Sequence, residues 1–209
     1  MKRSLYLLFI LIGGVLGCRQ PVVEEPTAVL APPPTAVPLT NGQGEVVSQQ
    51  AGPLWVLVSG VDEHGLLAEP NIYLLSQADV LAFTNEHVHT GIAAAVLEIR
   101  QDGLRRFYRV LATDRQTGWV SDYHVRRVAY LYDGQSTQVN LYDAPQGNPT
   151  TTLTNVYPVH LLDPTAAEWW EVTTLDGQTR GWIQAEYVKE SPEKEFLING
   201  GVLPADHGH

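Results

Sequence analysis

The stretch Thr117-Gly118-Trp119-Val120-Ser121-Asp122-Tyr123-His124-Val125 returns later in the chain as Arg180-Gly181-Trp182-Ile183-Gln184-Ala185-Glu186-Tyr187-Val188. The two tryptophans differ in position by 182 − 119 = 63. A glycine directly before a tryptophan suits a tight turn or a bulge, where a side chain would clash. The recurrence of the whole stretch predicts two copies of one small domain.

Two more matches extend the repeat towards the N-terminus. Phe107-Tyr108-Arg109-Val110 matches Trp169-Trp170-Glu171-Val172, with an offset of 170 − 108 = 62. Asn71-Ile72-Tyr73 matches Asn140-Leu141-Tyr142, with an offset of 140 − 71 = 69. The first copy should therefore contain an insertion of 69 − 62 = 7 residues. We place this insertion between Gln77 and Gly91.

Short apolar runs separated by turn signals fill both copies. Leu54-Trp55-Val56-Leu57-Val58 and Ala95-Val96-Leu97-Glu98-Ile99 are typical of β-strands, and Asp133-Gly134 and Asp176-Gly177 suit hairpin turns. Only residues 76–87 favour a brief helix, because Ser76 and Asp79 have the spacing of an N-cap and the third helical position. The sequence predicts an all-β protein built from two tandem small β-barrels.

The N-terminal region has the composition of an export signal followed by a tether. Lys2 and Arg3 precede an apolar run over residues 4–17, which at fourteen residues is shorter than the ~20 that a membrane-spanning helix needs. Residues 18–52 are rich in proline, with Pro32-Pro33-Pro34 at the centre, and contain no aromatic residue. We expect residues 1–17 to be a signal peptide and residues 18–52 to form a disordered, extended tether.

Charge and cysteine content exclude several classes of function. The net charge of −10 disfavours binding of nucleic acid, whose phosphates need a basic surface. The single cysteine excludes an internal disulfide and a cysteine-rich metal site. Seven arginines nevertheless lie within residues 100–127, while residues 128–209 have a net charge of 3 − 11 = −8. The arginine-rich stretch either faces an acidic partner, lipid headgroups or the second copy, or forms a solvated strand face.

Val15-Leu16-Gly17-Cys18 resembles the bacterial lipobox, in which aliphatic and small residues precede a cysteine that becomes lipidated. This resemblance implies that Cys18 is the first residue of the mature chain and carries the lipid. Multiple acyl chains on one residue anchor a protein stably. The chain is thus expected to be exported and held on the outer face of the cell membrane, with the membrane as a partner through Cys18.

The repeat itself resembles the bacterial SH3 (SH3b) family. The second copy carries Val139-Asn140-Leu141-Tyr142-Asp143-Ala144-Pro145, Trp169-Trp170-x-Val172, Gly181-Trp182-Ile183 and Tyr187-Val188. The first copy keeps Tyr108-x-Val110 and Gly118-Trp119-Val120 but lacks the proline after its first strand. The resemblance implies SH3-like barrels at residues 53–127 and 128–190, with the first one divergent, followed by a tail at residues 191–209.

What the SH3b resemblance implies for function is binding without catalysis. Modules of this family commonly recognise cell-wall peptidoglycan, its stem peptides or other proteins, on a face lined with aromatic residues. The candidate ligand-binding residues are therefore Tyr73, Tyr108 and Trp119 in the first copy and Tyr142, Asp143, Tyr157 and Trp169 in the second. The alternative for each aromatic residue is a place in a barrel core, which we favour for Trp119 and Trp182.

Other chemistry has weaker support in the sequence. His87 and His89 would share one face of a strand, as two ligands of a zinc site do, but a solvated loop is the preferred interpretation, and we predict no metal and no cofactor. Nothing indicates a catalytic nucleophile, because the only thiol is that of Cys18. A protein-docking scaffold without wall binding remains the alternative function, and a metal-binding or enzymatic accessory protein is a distant third. In the tail, Ser191-Pro192 favours a short helix over residues 191–198.

Overall fold

The computed structural model describes residues 32–62, 65–83 and 86–191. The expected signal peptide, Cys18 and all but the first residue of the expected C-terminal helix lie outside these residues. Within them the chain contains strands and two short 3₁₀ helices and no α-helix, which confirms the all-β prediction. The brief helix expected at residues 76–87 is wrong, because residues 76–81 form bends and a turn.

The first half of the described chain runs through nine strands. They are β1 (Ala36–Thr40), β2 (Val46–Ala51), β3 (Trp55–Val58), β4 (Asn71–Tyr73), β5 (His87–His89), β6 (Ile92–Asp102), β7 (Arg105–Ala112), β8 (Thr117–Ser121) and, after a 3₁₀ helix at Asp122–His124, β9 (Val125–Arg126). The 11-residue strand β6 is the centre of the sheet, since it pairs with β1, β3 and β7.

The strands of the second half follow in the same order. They are β10 (Ala129–Leu131), β11 (Gln138–Tyr142), β12 (Pro149–Thr154), β13 (Tyr157–Asp163), β14 (Trp169–Thr174), β15 (Arg180–Gln184) and, after a 3₁₀ helix at Ala185–Tyr187, β16 (Val188–Lys189). Pairing also corresponds, because β10 joins β13 and β16 as β3 joins β6 and β9. The internal repeat therefore has a structural counterpart. Neither seven-stranded sheet closes into a barrel among the described pairings.

The strand hairpin β1–β2 corrects the expected tether. The sequence predicts disorder for residues 36–51, yet Val37 is fully buried, and Leu39 and Thr40 pair in parallel with Ile99 and Arg100 of β6. The Thr40 hydroxyl donates to the Glu98 carboxylate at 2.8 Å. The hairpin gains its order from these contacts with a strand some sixty residues later, so its local proline-containing sequence did not reveal it.

The match of Asn71-Ile72-Tyr73 with Asn140-Leu141-Tyr142 is two residues out of register. Leu75 bridges Trp119 in the first copy, and Tyr142 pairs with Trp182 in the second, so Leu75 is the counterpart of Tyr142. The offset is then 142 − 75 = 67, which makes the first copy longer by five positions rather than seven. Tyr73 and Tyr142 therefore do not occupy equivalent positions in the two copies.

Two hydrophobic cores meet at strand β3, whose four residues are all buried. Val56 and Val58 belong to the first core, with Tyr108 and Val110 of β7. Trp55 and Leu57 point the other way into the second core, which also contains Ala93 and Ala95 of β6 and side chains from β10 to β16. Because alternate residues of a strand face opposite sides, one strand serves both repeats. The two copies thus share a continuous packed interior.

Candidate functional site

The second copy brings together two of the predicted ligand-binding aromatics. The rings of Tyr142 on β11 and Trp169 on β14 meet edge to face, with centroids 5.2 Å apart and an interplanar angle of 86°. This is a preferred geometry for aromatic pairs. Trp169 is only 9% exposed, whereas Tyr142 is half-buried. Trp169 therefore forms the wall of the site, and the Tyr142 ring presents its accessible face.

Tyr187, at the end of the 3₁₀ helix after β15, completes this group, and it was not predicted as a site residue. Burial raises the pKa of the Tyr187 phenol, and the charges of Glu186, Asp133 and Tyr142 raise it further. The effect of Tyr142 means that the two phenol groups lie within range of electrostatic interaction. In the sequence, Tyr187-Val188 is recognised only as the end of the repeated motif. We call Tyr142, Trp169 and Tyr187 the aromatic surface.

Carboxylates lie near Tyr187. Glu168 and Glu186, each next in sequence to a residue of the aromatic surface, line a depression of about 410 Å³ together with Ala167, Gln184 and Ala185. The effect of Glu186 and Asp133 on the Tyr187 pKa places their negative charges near the phenol as well. Acidic groups beside aromatic rings favour a ligand that carries a cationic group.

Asp143 and Tyr157 do not belong to the aromatic surface. The Asp143 carboxylate accepts a hydrogen bond from the Asn148 backbone N–H at 2.8 Å, which closes the turn between β11 and β12. It also lines, together with Tyr142, a pocket beside Trp182. Tyr157 on β13 pairs with Leu131 and packs against the second core. In the structure Asp143 therefore stabilises a turn, and Tyr157 packs against the core.

The first copy does not assemble an equivalent aromatic group. Leu75, Phe107 and His124 stand where the second copy has Tyr142, Trp169 and Tyr187, as strand pairing and the two 3₁₀ helices show. Phe107 is buried, and the His124 ring lies 3.3 Å from the Ser59 carbonyl oxygen, measured from Nδ1. The aromatic surface of the second copy is thus replaced here by smaller or differently engaged side chains.

The three candidate residues of the first copy lie in separate places. Tyr108 is 3% exposed and belongs to the first core. Trp119 is also buried, as favoured from the sequence, and the Arg100 guanidinium covers its ring at 4.7 Å from the centroid. Tyr73 is exposed on the β4–β5 hairpin, where its ring lies 6.0 Å from that of His87. No shared site among these three follows from the described contacts.

His87 and His89 share the exposed face of β5, as the alternating pattern predicts, and their ring centroids are 6.0 Å apart. Within residues 32–62, 65–83 and 86–191 there is no group of three or more His, Cys, Asp or Glu side chains arranged to hold a metal. No helix in the same part of the chain is long and apolar enough to cross a bilayer.

The two copies also carry corresponding pockets. The first, of about 520 Å³, lies beside Trp119, and the second, of about 440 Å³, lies beside Trp182. In the second pocket Glu171 and Arg180 form a two-pronged ion pair, with Nε–Oε1 at 2.6 Å and Nη2–Oε2 at 2.7 Å. This contact raises the pKa of the Arg180 guanidinium, through the hydrogen bond first and the Glu171 charge second.

Comparison with known proteins gives little further guidance. No protein family model matches the chain, and no curated protein matches it. Among solved structures, NlpC2 of Trichomonas vaginalis matches 66% of the chain at 10% identity with a TM-score of 0.28, and NlpC1 of the same organism matches 69% at 11% identity with the same score. In both cases the match spans 48% of the solved chain, about half its length. Scores this low do not establish a shared fold.

Proposed function

We propose that this protein is a membrane-anchored envelope lipoprotein that binds a ligand without chemical turnover, through the aromatic surface of its second repeat. The observation that carries the proposal is the edge-to-face contact of Tyr142 and Trp169. Aromatic-lined grooves accept extended peptides, and aromatic faces also stack on sugar rings. The lipobox-like Val15-Leu16-Gly17-Cys18 supports the anchor.

The ligand we favour is a stem peptide of cell-wall peptidoglycan that bears a free amino group. The charges of Glu186 and Asp133 act on the Tyr187 phenol and would attract that cation. An extended peptide would lie along Tyr142 and Tyr187, with Trp169 as the wall behind them. The docking of another envelope protein on the same surface is the competing function.

A sedimentation assay with purified peptidoglycan tests the proposal. The chain from residue 19 onward keeps every residue that the structure describes and lacks the lipid. We expect it to pellet with peptidoglycan, and we expect Tyr142→Ala to weaken binding about tenfold or more, as loss of a central aromatic contact does. Tyr73→Ala is the matched control, since Tyr73 is an exposed tyrosine on another hairpin.

Two outcomes separate the alternatives. If the chain stays in the supernatant at low salt but co-purifies one envelope protein in a Tyr142-dependent manner, the docking function is correct and wall binding is wrong. For the anchor, Cys18→Ser in the full chain should abolish membrane association after export. A Cys18→Ser protein that still partitions with membranes once the signal is cleaved would refute the lipid anchor.

A further inference from the structure

The corresponding pockets of the two repeats have opposite charge at the same position of the sheet. On β7, Arg109 pairs with Trp119 of β8, and on β14, Glu171 pairs with Trp182 of β15. Arg109 and Glu171 are therefore counterparts. Where the second copy has Arg180 as the partner of Glu171, the first copy has Thr117. One substitution at each of two neighbouring positions has thus changed the electrostatics of the pocket.

A carboxylate within the protein binds the arginine of the second pocket, whereas none of the described hydrogen bonds or ion pairs engages Arg109 in the first. Both prongs of the Arg180 guanidinium are bound by Glu171. In the first pocket the Thr117 hydroxyl instead donates to the Val110 carbonyl at 3.0 Å. Among the described residues, no hydrogen bond or ion pair involves the Arg109 guanidinium.

Two carboxylates lie near Arg109 and must be considered. Glu98 is its cross-strand neighbour on β6, but its Oε1 lies 3.0 Å from Arg100 Nη2 and accepts the Thr40 hydroxyl hydrogen at 2.8 Å. Glu86 is the acidic residue of the pocket lining. Glu98 is thus largely occupied by Arg100 and Thr40, and Glu86 is the group that would oppose an anionic ligand.

Apolar side chains stand at the mouth of the same pocket. Phe83 lines it and is 78% exposed, and Leu81 in the same loop is 88% exposed. Leu75 and Trp119 complete the apolar lining. Exposed large apolar side chains that cluster beside a pocket are a mark of a binding surface. We call Leu75, Phe83, Glu86, Arg109 and Trp119 the Arg109 pocket.

We propose that the Arg109 pocket binds a peptide carboxylate, with the apolar side chain next to that carboxylate held against Phe83 and Trp119. A guanidinium without an internal partner binds a carboxylate in a two-pronged geometry, as Arg180 binds Glu171 in the other repeat. This binding goes beyond the proposed function, because it uses the other repeat and the opposite ligand charge. The two repeats would then recognise different groups, a cation at the aromatic surface and a carboxylate here.

The test uses N-acetylphenylalanine and its neutral amide as a matched pair of probes. Titrations of the ¹⁵N-labelled chain from residue 19 onward report on the Trp119 indole N–H. We expect the acid to shift this signal. The affinity of the amide should be lower than that of the acid by a factor of about ten or more. Arg109→Gln should weaken binding of the acid by a similar factor, and Glu86→Gln should strengthen it because a repelling charge is removed.

Several results would overturn this inference. Equal binding of the acid and the amide would show that the pocket recognises only the apolar group. Unchanged binding in Arg109→Gln would exclude the guanidinium, and no shift at any soluble concentration of the acid would exclude the site. Tyr142→Ala should leave acid binding unchanged, so a failure of the aromatic surface and a failure of the Arg109 pocket give different results.

Discussion

Gly181 passes so close to Leu141 that a Cβ placed on the glycine would lie 2.9 Å from the Cβ of the leucine. Gly118 stands in the same relation to Leu74, at 2.7 Å. In both repeats any larger residue would force the strand that carries the tryptophan away from its neighbour. The glycine is required because of a contact with a distant segment, in addition to any local turn.

Replacement of Gly181 by alanine should therefore destabilise the protein. We expect Gly181→Ala to lower the free energy of unfolding by about 1–3 kcal/mol, because the added methyl group overpacks the contact with Leu141. Urea denaturation followed by tryptophan fluorescence measures the change. Gln135→Ala, at an exposed turn position, is the control and should stay within about 0.5 kcal/mol of the parent. A Gly181→Ala protein as stable as this control would contradict the close approach.

Leu57 tests whether the two repeats share an interior. Its side chain is 1% exposed and lies in the second core, although β3 belongs to the first sheet. Leu57→Ala should cost about 2–5 kcal/mol of stability, as truncation of a buried leucine does. Because the cavity adjoins both repeats, hydrogen exchange should accelerate in β7 and in β14 alike.

Val46→Ala is the control for Leu57→Ala, since Val46 lies 59% exposed on the edge strand β2. It should leave exchange in both strands unchanged. If Leu57→Ala accelerated exchange in only one repeat, the two halves would be independent domains and the shared interior would be wrong.

Tyr187 should make the stability of the folded protein decrease at alkaline pH. Its pKa is raised above the ordinary value of 10.0 by burial, and by the charges of Glu186 and Asp133. A raised pKa means that the folded state favours the protonated phenol more than the unfolded state does. The contribution is complete below pH 10 and is lost as the pH rises through the higher pKa of the folded protein.

The measurement for Tyr187 is the melting temperature between about pH 8 and pH 12, with the tyrosinate absorbance recorded in parallel. Tyr187→Phe should lose less stability than the parent as the pH rises, and a tyrosine titration step above pH 10 should disappear. Tyr73→Phe, at an exposed position, should leave the pH dependence of the melting temperature unchanged. Identical alkaline curves for parent and Tyr187→Phe would mean that Tyr187 titrates normally.

The central strands could be predicted because their signals are local. Trp119 and Trp182 each follow a glycine and precede an aliphatic residue, and both segments are strands at equivalent places. The register of the first hairpin could not be predicted in this way. A slip of two residues keeps every side chain on the same face of a strand, so Tyr73 and Leu75 are indistinguishable by alternation. The close approach of Leu74 to Gly118 and the bridge between Leu75 and Trp119 decide between them.

The candidate site was predicted in part, for a related reason. Tyr142 and Trp169 stand in recognisable motifs, and their rings do meet. Tyr187 lies far along the chain from Tyr142, on a 3₁₀ helix that ends a strand, and its role depends on three-dimensional proximity. Tyr108 has the same aromatic character but faces the first core. Composition alone could not separate a wall of the site from an interior side chain.

Strand β3, with Val56 and Val58 in one core and Trp55 and Leu57 in the other, has a consequence for the evolution of the duplication. A copy cut free at the boundary near residue 128 would expose Trp55, Leu57, Ala93 and Ala95 and would tend to aggregate. The two repeats should therefore be inherited together, because separation would expose the face of β3 that the second core covers.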